Sequence, residues 1–285
     1  MKQKENRLAL ASLHVAVLLF GLSGVIGRFV GVPAHDIAWG RSLCSSLLLL
    51  LLLKLLREPL KLDSRRDYVL ALCGGAVLAF HWTAFFLSIK AASVAVGTVT
   101  FSSFPLFTVL LEPVVFREKP QPRQLLLAAV MAVGVVITMP DLSFRSKAAR
   151  GALWGVASAA SYAVLALINR SLSARYSSVK ICMYQQGTAA LVLTPFVLAT
   201  GAVWTRTDVL GVAVIGVVCT AAAFSLFVRA QRYVRAGVAA VVSGMETVYG
   251  IVFAVLFLGE YPDPGAILGA ALIITAAALS SLKTR

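Results

Sequence analysis

Long apolar runs, broken by short polar and basic clusters, recur along the whole chain at a spacing of roughly 28 residues, each close to the ~20 needed to cross ~30 Å of hydrocarbon. Ten are predicted, at 8–30, 36–56, 68–89, 94–116, 123–140, 151–169, 180–200, 208–228, 236–258 and 265–282. None alternates with a period of two. A backbone in lipid must satisfy its own hydrogen bonds, so such runs predict helices rather than barrel strands. The fold expected is an all-α polytopic membrane protein of ten transmembrane helices.

The pattern repeats. Shifting positions 100–122 by 142 lands on 242–264, where Glu118-x-Pro120-x-Pro122 is matched by Glu260-x-Pro262-x-Pro264. The same shift pairs Arg28 with Arg170, Phe85 with Phe227, Lys90 with Arg232, and Ala128-Ala129 with Ala270-Ala271. This is an internal duplication read as one constant offset without a gap, with five-helix repeats expected at 1–142 and 143–285. Five spans per copy is an odd number, so the second copy enters the membrane from the opposite side. An inverted repeat is a transporter architecture, with its substrate site near the midplane where the copies meet.

Charge supports that threading. The sequence has 26 Lys and Arg against 12 Asp and Glu, a formal net charge of +14. With the amino terminus inside, most basic residues gather on one side, among them Lys54, Arg57, Arg65, Arg66, Arg117, Arg170 and Arg175. Arg28, Lys90, Arg145, Lys147, Arg150 and Arg206 fall on the other, and Arg41 lies within a span. The bias follows the positive-inside rule and predicts both termini cytoplasmic in a bacterial inner membrane. Nucleic-acid binding is excluded because no loop is long enough to build a basic surface.

Cys44, Cys73, Cys182 and Cys219 sit singly in different spans and read as small buried hydrophobes, not as a metal or disulfide set. No Gly-Lys dipeptide exists, so there is no Walker loop. No cofactor is expected. Transport is expected to be downhill or ion-coupled, and the partners expected are a small-molecule substrate, the bilayer and, in the ion-coupled case, the proton, with the protein a monomer or weak dimer.

Glu246 is the sharpest site candidate. A lone carboxylate about ten residues into a span is costly unless it meets a cavity, a partner or a proton. Its repeat counterpart is Phe104, so duplication does not explain it. His81 lies at comparable depth, and its roles as a substrate or proton ligand and as an interhelical hydrogen bonder are equally open. Ser243 shares a helical face with Glu246, as Ser102 does with Pro105, and Trp154 with Ser158 and Tyr162. With Gln186, Tyr249 and Ser23 these residues form the predicted substrate site. Pro105 and Gly244 are the predicted hinges. Glu118 and Glu260 follow span ends and read as caps or gate partners. Glu112 is placed to pair with a basic residue at the interface. Gly21, Gly24 and Gly27 suit close helix packing.

The five-plus-five layout, the short hairpin between the third and fourth spans, and the glutamates Glu118 and Glu260 after the fourth span of each half resemble the EamA family of the drug/metabolite transporter superfamily. In the first half Arg117 stands where the family has glycine. The resemblance implies a central cavity lined by the first four spans of each half, with spans 5 and 10 outside it. It also implies export of amino acids or related metabolites by alternating access, as in YddG-type exporters. The alternative within transport is a drug or organic-cation exporter. A different class, intramembrane serine proteolysis, rests on Gly21-Leu22-Ser23-Gly24 with His81 as base.

Overall fold

A computed structural model describes residues 2–116, 122–138, 146–231 and 236–281. The side chains of some helical positions, Ser243 and Gly244 among them, lie outside that description, as does all of Glu118. The helices are α1 (Lys2–Phe29), α2 (Ala34–Leu55), α3 (Arg65–Ala91), α4 (Val94–Phe101), α5 (Phe104–Phe116), α6 (Pro122–Thr138), α7 (Lys147–Ser173), α8 (Ser178–Thr200), α9 (Arg206–Gly216), α10 (Ala223–Gln231), α11 (Ala236–Leu258) and α12 (Pro264–Ser281). A π-helical turn, Val217–Ala222, joins α9 to α10. Among the described residues seven segments are long and apolar enough to cross a membrane, and three shorter apolar helices accompany them. At ~1.5 Å per residue, a 22-residue helix such as α2 is about 33 Å long, the thickness of the hydrocarbon core.

Helix starts follow local chemistry. Ser64, Ser93, Ser146 and Ser177 each accept the backbone N–H three residues on, and Thr205 forms a reciprocal capping box with Asp208. Two such helix starts also reach across the structure. Asp67, in the first turn of α3, accepts from Arg175 and from the Tyr176 hydroxyl in the connection between α7 and α8. Asp208, in the first turn of α9, accepts from Gly31 N–H at 2.6 Å between α1 and α2. Each carboxylate therefore ties the start of a helix to a turn in the other half of the chain.

The fourth predicted span is broken, and the break lies ahead of Pro105. Ser103 N–H bonds to Thr100 at 3.2 Å and Leu106 N–H to Ser103 at 2.9 Å, tightening the chain between α4 and α5. Pro105 then occupies the first turn of α5, where its missing N–H costs nothing. Pro113 lies inside α5.

Packing follows a pattern that the 142-residue shift reproduces. α3 packs on α7, and α10 packs on α1; α4 and α5 pack on α7, and α11 packs on α1. α2 meets α8, α6 meets α12, and α3 meets α8 as α9 meets α2. Small residues permit the closest approaches. A Cβ at Gly21 would come within 2.9 Å of the Gly250 nitrogen on α11, and one at Gly155 would collide with Thr100 Oγ1. Outward faces carry leucines, including Leu47, Leu51, Leu55, Leu191 and Leu198, the composition a lipid contact requires.

The offset is not constant, which corrects the gapless reading of the duplication. Ser64 and Thr205, Asp67 and Asp208, and Gly75 and Gly216 are equivalent at a shift of 141, whereas Phe85 and Phe227 are equivalent at 142. The π turn lies between those two sets. A turn closed from i to i+5 holds one residue more than an α turn, which accounts for the step.

Candidate functional site

The buried centre is a nest of rings from four helices, α3, α4, α5 and α7. His81 on α3 lies 4.5 Å from Trp82, 5.2 Å from Tyr162 on α7 and 5.3 Å from Phe101 on α4, between ring centroids. Tyr162 in turn meets Phe101 at 5.4 Å and Phe104 at 5.0 Å, both edge-on. These separations are the ones aromatic pairs prefer. His81 Nδ1 donates to the Ser158 carbonyl at 3.0 Å, and the Ser158 hydroxyl donates to the His81 carbonyl at 3.2 Å. Donation from Nδ1 leaves Nε2 as the acceptor of a neutral ring, and that atom is buried without a partner.

Against the rings stands Arg41 from α2, 1 % exposed. Its guanidinium lies 3.4 Å from the centroid of Trp82 and 5.5 Å from that of Phe86. Desolvated cation–π contact of this kind is worth about 2 kcal/mol. Nε and Nη2 donate to Thr220 Oγ1 at 3.1 and 2.8 Å. Thr220 belongs to the π turn and donates to the Ile215 carbonyl five residues back, at 2.7 Å. The widened turn thus places a hydroxyl where the arginine needs an acceptor. Glu246, midway along α11, is within electrostatic reach of both Arg41 and Tyr162.

The structure therefore gathers His81, Tyr162 and Glu246 into one place, with Gln186 buried on α8 and its Oε1 unpartnered. Ser102 lies at the α4 break and bonds to Thr247 on α11, which also donates to the Thr98 carbonyl at 3.3 Å. The other predicted site residues stand apart. Trp154 is 38 % exposed and packs on Phe80. Tyr249 bonds to His14 at 3.2 Å within a separate cluster of α1, α10 and α11 side chains. Ser23 is buried on α1, and the serine bonded to His81 is Ser158 rather than Ser23. Ser243 and Gly244 lie outside the described side chains.

Sequence reasoning missed Arg41 and Thr220. A lone arginine seven residues into an apolar helix was the available signal for the first.

One end of the bundle is tied together beyond this centre. Glu260 accepts from Arg28 Nε at 3.0 Å and from Val94 N–H at 3.1 Å. Arg28 also donates to the carbonyls of Ile89 and Lys90, and Lys90 Nζ donates to the Val30 carbonyl at 2.7 Å. The gate-or-cap reading of Glu260 is thus given named partners, and Glu112 is paired with Arg170 as expected.

Comparison with known proteins agrees with these features. The sequence profile of the EamA-like transporter family matches residues 7–139 and again 149–282. The transporter YxxF of Bacillus subtilis (strain 168) is 22% identical over 288 residues, covering 99% of this chain and 92% of its own. An S-adenosylmethionine uptake transporter of Rickettsia bellii (strain RML369-C) is 26% identical over 258 residues, covering 88% and 86%. A solved crystal structure matches with a TM-score of 0.67 at 20% identity over 96% of both chains, a likeness of fold.

Proposed function

Because the chain belongs to the EamA-like transporter family and is a transporter rather than an enzyme, we propose that it exports amino acids or related small metabolites across the bacterial inner membrane by alternating access. In this reading ten spans form two inverted five-helix repeats, 1–142 and 143–285, with both termini cytoplasmic. The reciprocal packing of α3 on α7 and α10 on α1, and the reciprocal ties of Asp67 and Asp208, support the inversion. The ring nest is the substrate chamber.

The observation that carries the proposal is a buried guanidinium from one half, Arg41, stacked on the ring nest, with the Glu246 carboxylate of the other half within its electrostatic reach. A buried charge is retained in a span when it works on a solute or an ion. Apolar walls with a few fixed polar groups suit an amphiphilic solute. The test is flux of an amino-acid panel by purified protein in liposomes, with and without a pH gradient. Flux that saturates and is lost in Glu246→Gln is expected; no amino-acid flux under any gradient refutes the substrate class.

The Rickettsia relatives favour a second reading, uptake of S-adenosylmethionine, which joins an amino-acid group to a cationic sulfonium. The same liposomes loaded with S-adenosylmethionine decide between them.

A further inference from the structure

Three of the buried polar atoms left without partners lie on side chains that touch one another: Arg41 Nη1, Trp82 Nε1 and His81 Nε2. Leaving a buried donor unmet is costly, so their clustering needs a reason. Arg41 spends two nitrogens on one neutral hydroxyl, and among the described residues no carboxylate bonds to it. Its third nitrogen and the indole N–H of the ring stacked beneath it are adjacent donors, one of them cationic. Acceptors are also at hand: the His81 Nε2 lone pair, on a ring 4.5 Å from Trp82, and the Glu246 carboxylate midway along α11, within electrostatic reach of Arg41 and Tyr162.

We infer that Arg41 Nη1 and Trp82 Nε1 form the subsite for a carboxylate of the transported solute, with Glu246 receiving its ammonium group. This assignment rests on the amino-acid reading above and adds the atoms that recognise each end. Paired N–H donors with positive charge are the complement of a carboxylate, and in a dry site such bonds are about twice as strong as neutral ones. Phe101, Phe104 and Tyr162 lie beside these groups, so the solute that fits has an apolar or aromatic tail. Thr220 positions Arg41 without touching the solute.

Four probes define the test by calorimetric titration of the full chain in nanodiscs: L-phenylalanine, its amide, phenethylamine and 3-phenylpropionate. The wild type should bind L-phenylalanine at least roughly tenfold more tightly than the amide or the amine. Trp82→Phe keeps a ring under the guanidinium and removes the N–H. It should weaken L-phenylalanine roughly tenfold while leaving phenethylamine unchanged. Arg41→Gln should abolish the preference for the acid over the amide; if that variant fails to fold, Trp82→Phe still carries the test. Glu246→Gln should remove the advantage of L-phenylalanine over 3-phenylpropionate. Equal binding of acid and amide by the wild type, full preference retained in Trp82→Phe, or no binding of any probe overturns the assignment. Binding with this pattern but no flux in liposomes leaves the subsite standing and refutes the carrier reading instead.

Discussion

Replacing Glu260 with alanine is expected to loosen the face of the bundle that its carboxylate holds together. One oxygen takes Arg28 Nε at 3.0 Å and the other takes the first N–H of α4 at 3.1 Å. The end of α1 and the start of α4 are therefore tied through a single side chain. The Arg28 and Glu260 side chains are 32% and 22% exposed, so the ion pair is screened and worth about 0.5 kcal/mol. The helix cap adds about 1 kcal/mol. If these contacts exist only while the face is closed, their sum of about 1.5 kcal/mol shifts the closed-to-open ratio roughly tenfold. Arg28 keeps its bonds to the Ile89 and Lys90 carbonyls, so the change stays local. The assay places one cysteine in the ring nest, Phe104→Cys, with the four native cysteines replaced by alanine. A membrane-impermeant maleimide is then applied from the Glu260 side. Labelling should accelerate roughly tenfold in Glu260→Ala and less in Glu260→Gln, which keeps an acceptor for Val94. A rate unchanged by Glu260→Ala, in protein that unfolds at the parental temperature, refutes the tether as the element that shuts this face.

Gly155→Ala should destabilise by about 1–3 kcal/mol, because the added Cβ would meet Thr100 Oγ1, and Thr100→Ala should restore part of the loss in thermal unfolding. Asp67→Asn weakens the bonds to Arg175 and Tyr176; since Arg175 is 45% exposed, the expected cost is about 1–2 kcal/mol, read from the same melts. Thr247→Val removes the bond to Ser102 at the α4 break and should cost about 1 kcal/mol while altering flux through the chamber, measured in liposomes.

Most helices were legible because lipid demands long apolar stretches, and α11 begins and ends where the pattern placed it, at Ala236 and Leu258. Connections were less legible. Capping by Ser64, Ser146 and Thr205 starts helices some residues ahead of the apolar run, since a polar first turn at the interface is not unfavourable. Depth along a span was also legible, which is why His81, Tyr162 and Glu246 converge. Azimuth was not, because an apolar helix in lipid has no solvent-facing stripe to orient it, and Trp154 consequently turned away to Phe80. Arg41 was read for its charge and topology alone, although its depth carried the same meaning as that of Glu246. The sequence placed a kink or hinge at Pro105, but proline is tolerated in a first turn, and the helix break falls ahead of it at Ser102 and Ser103.

The π turn explains how two halves with one packing plan arrive at an unsymmetrical site. Gly75 packs against α8 and Gly216 against α2 at a shift of 141, and after the turn Phe85 and Phe227 match at 142. The flanks keep equivalent positions, so the extra residue is absorbed where it was added. What the added residue changes is local: Thr220 turns to the Ile215 carbonyl and becomes the acceptor for Arg41. Deleting Val217, an exposed residue of the turn, should restore an α-helical register without displacing either flank. The contact of Gly216 with α2 and that of Phe227 with Phe20 should both survive, leaving the unfolding temperature near the parental value. Thr220 would no longer meet Arg41, and L-phenylalanine affinity should fall while phenethylamine affinity holds. If the deletion unfolds the protein, the residue was structural and the turn is not an insertion between conserved flanks. If it folds and binds the acid as before, Thr220 does not position Arg41.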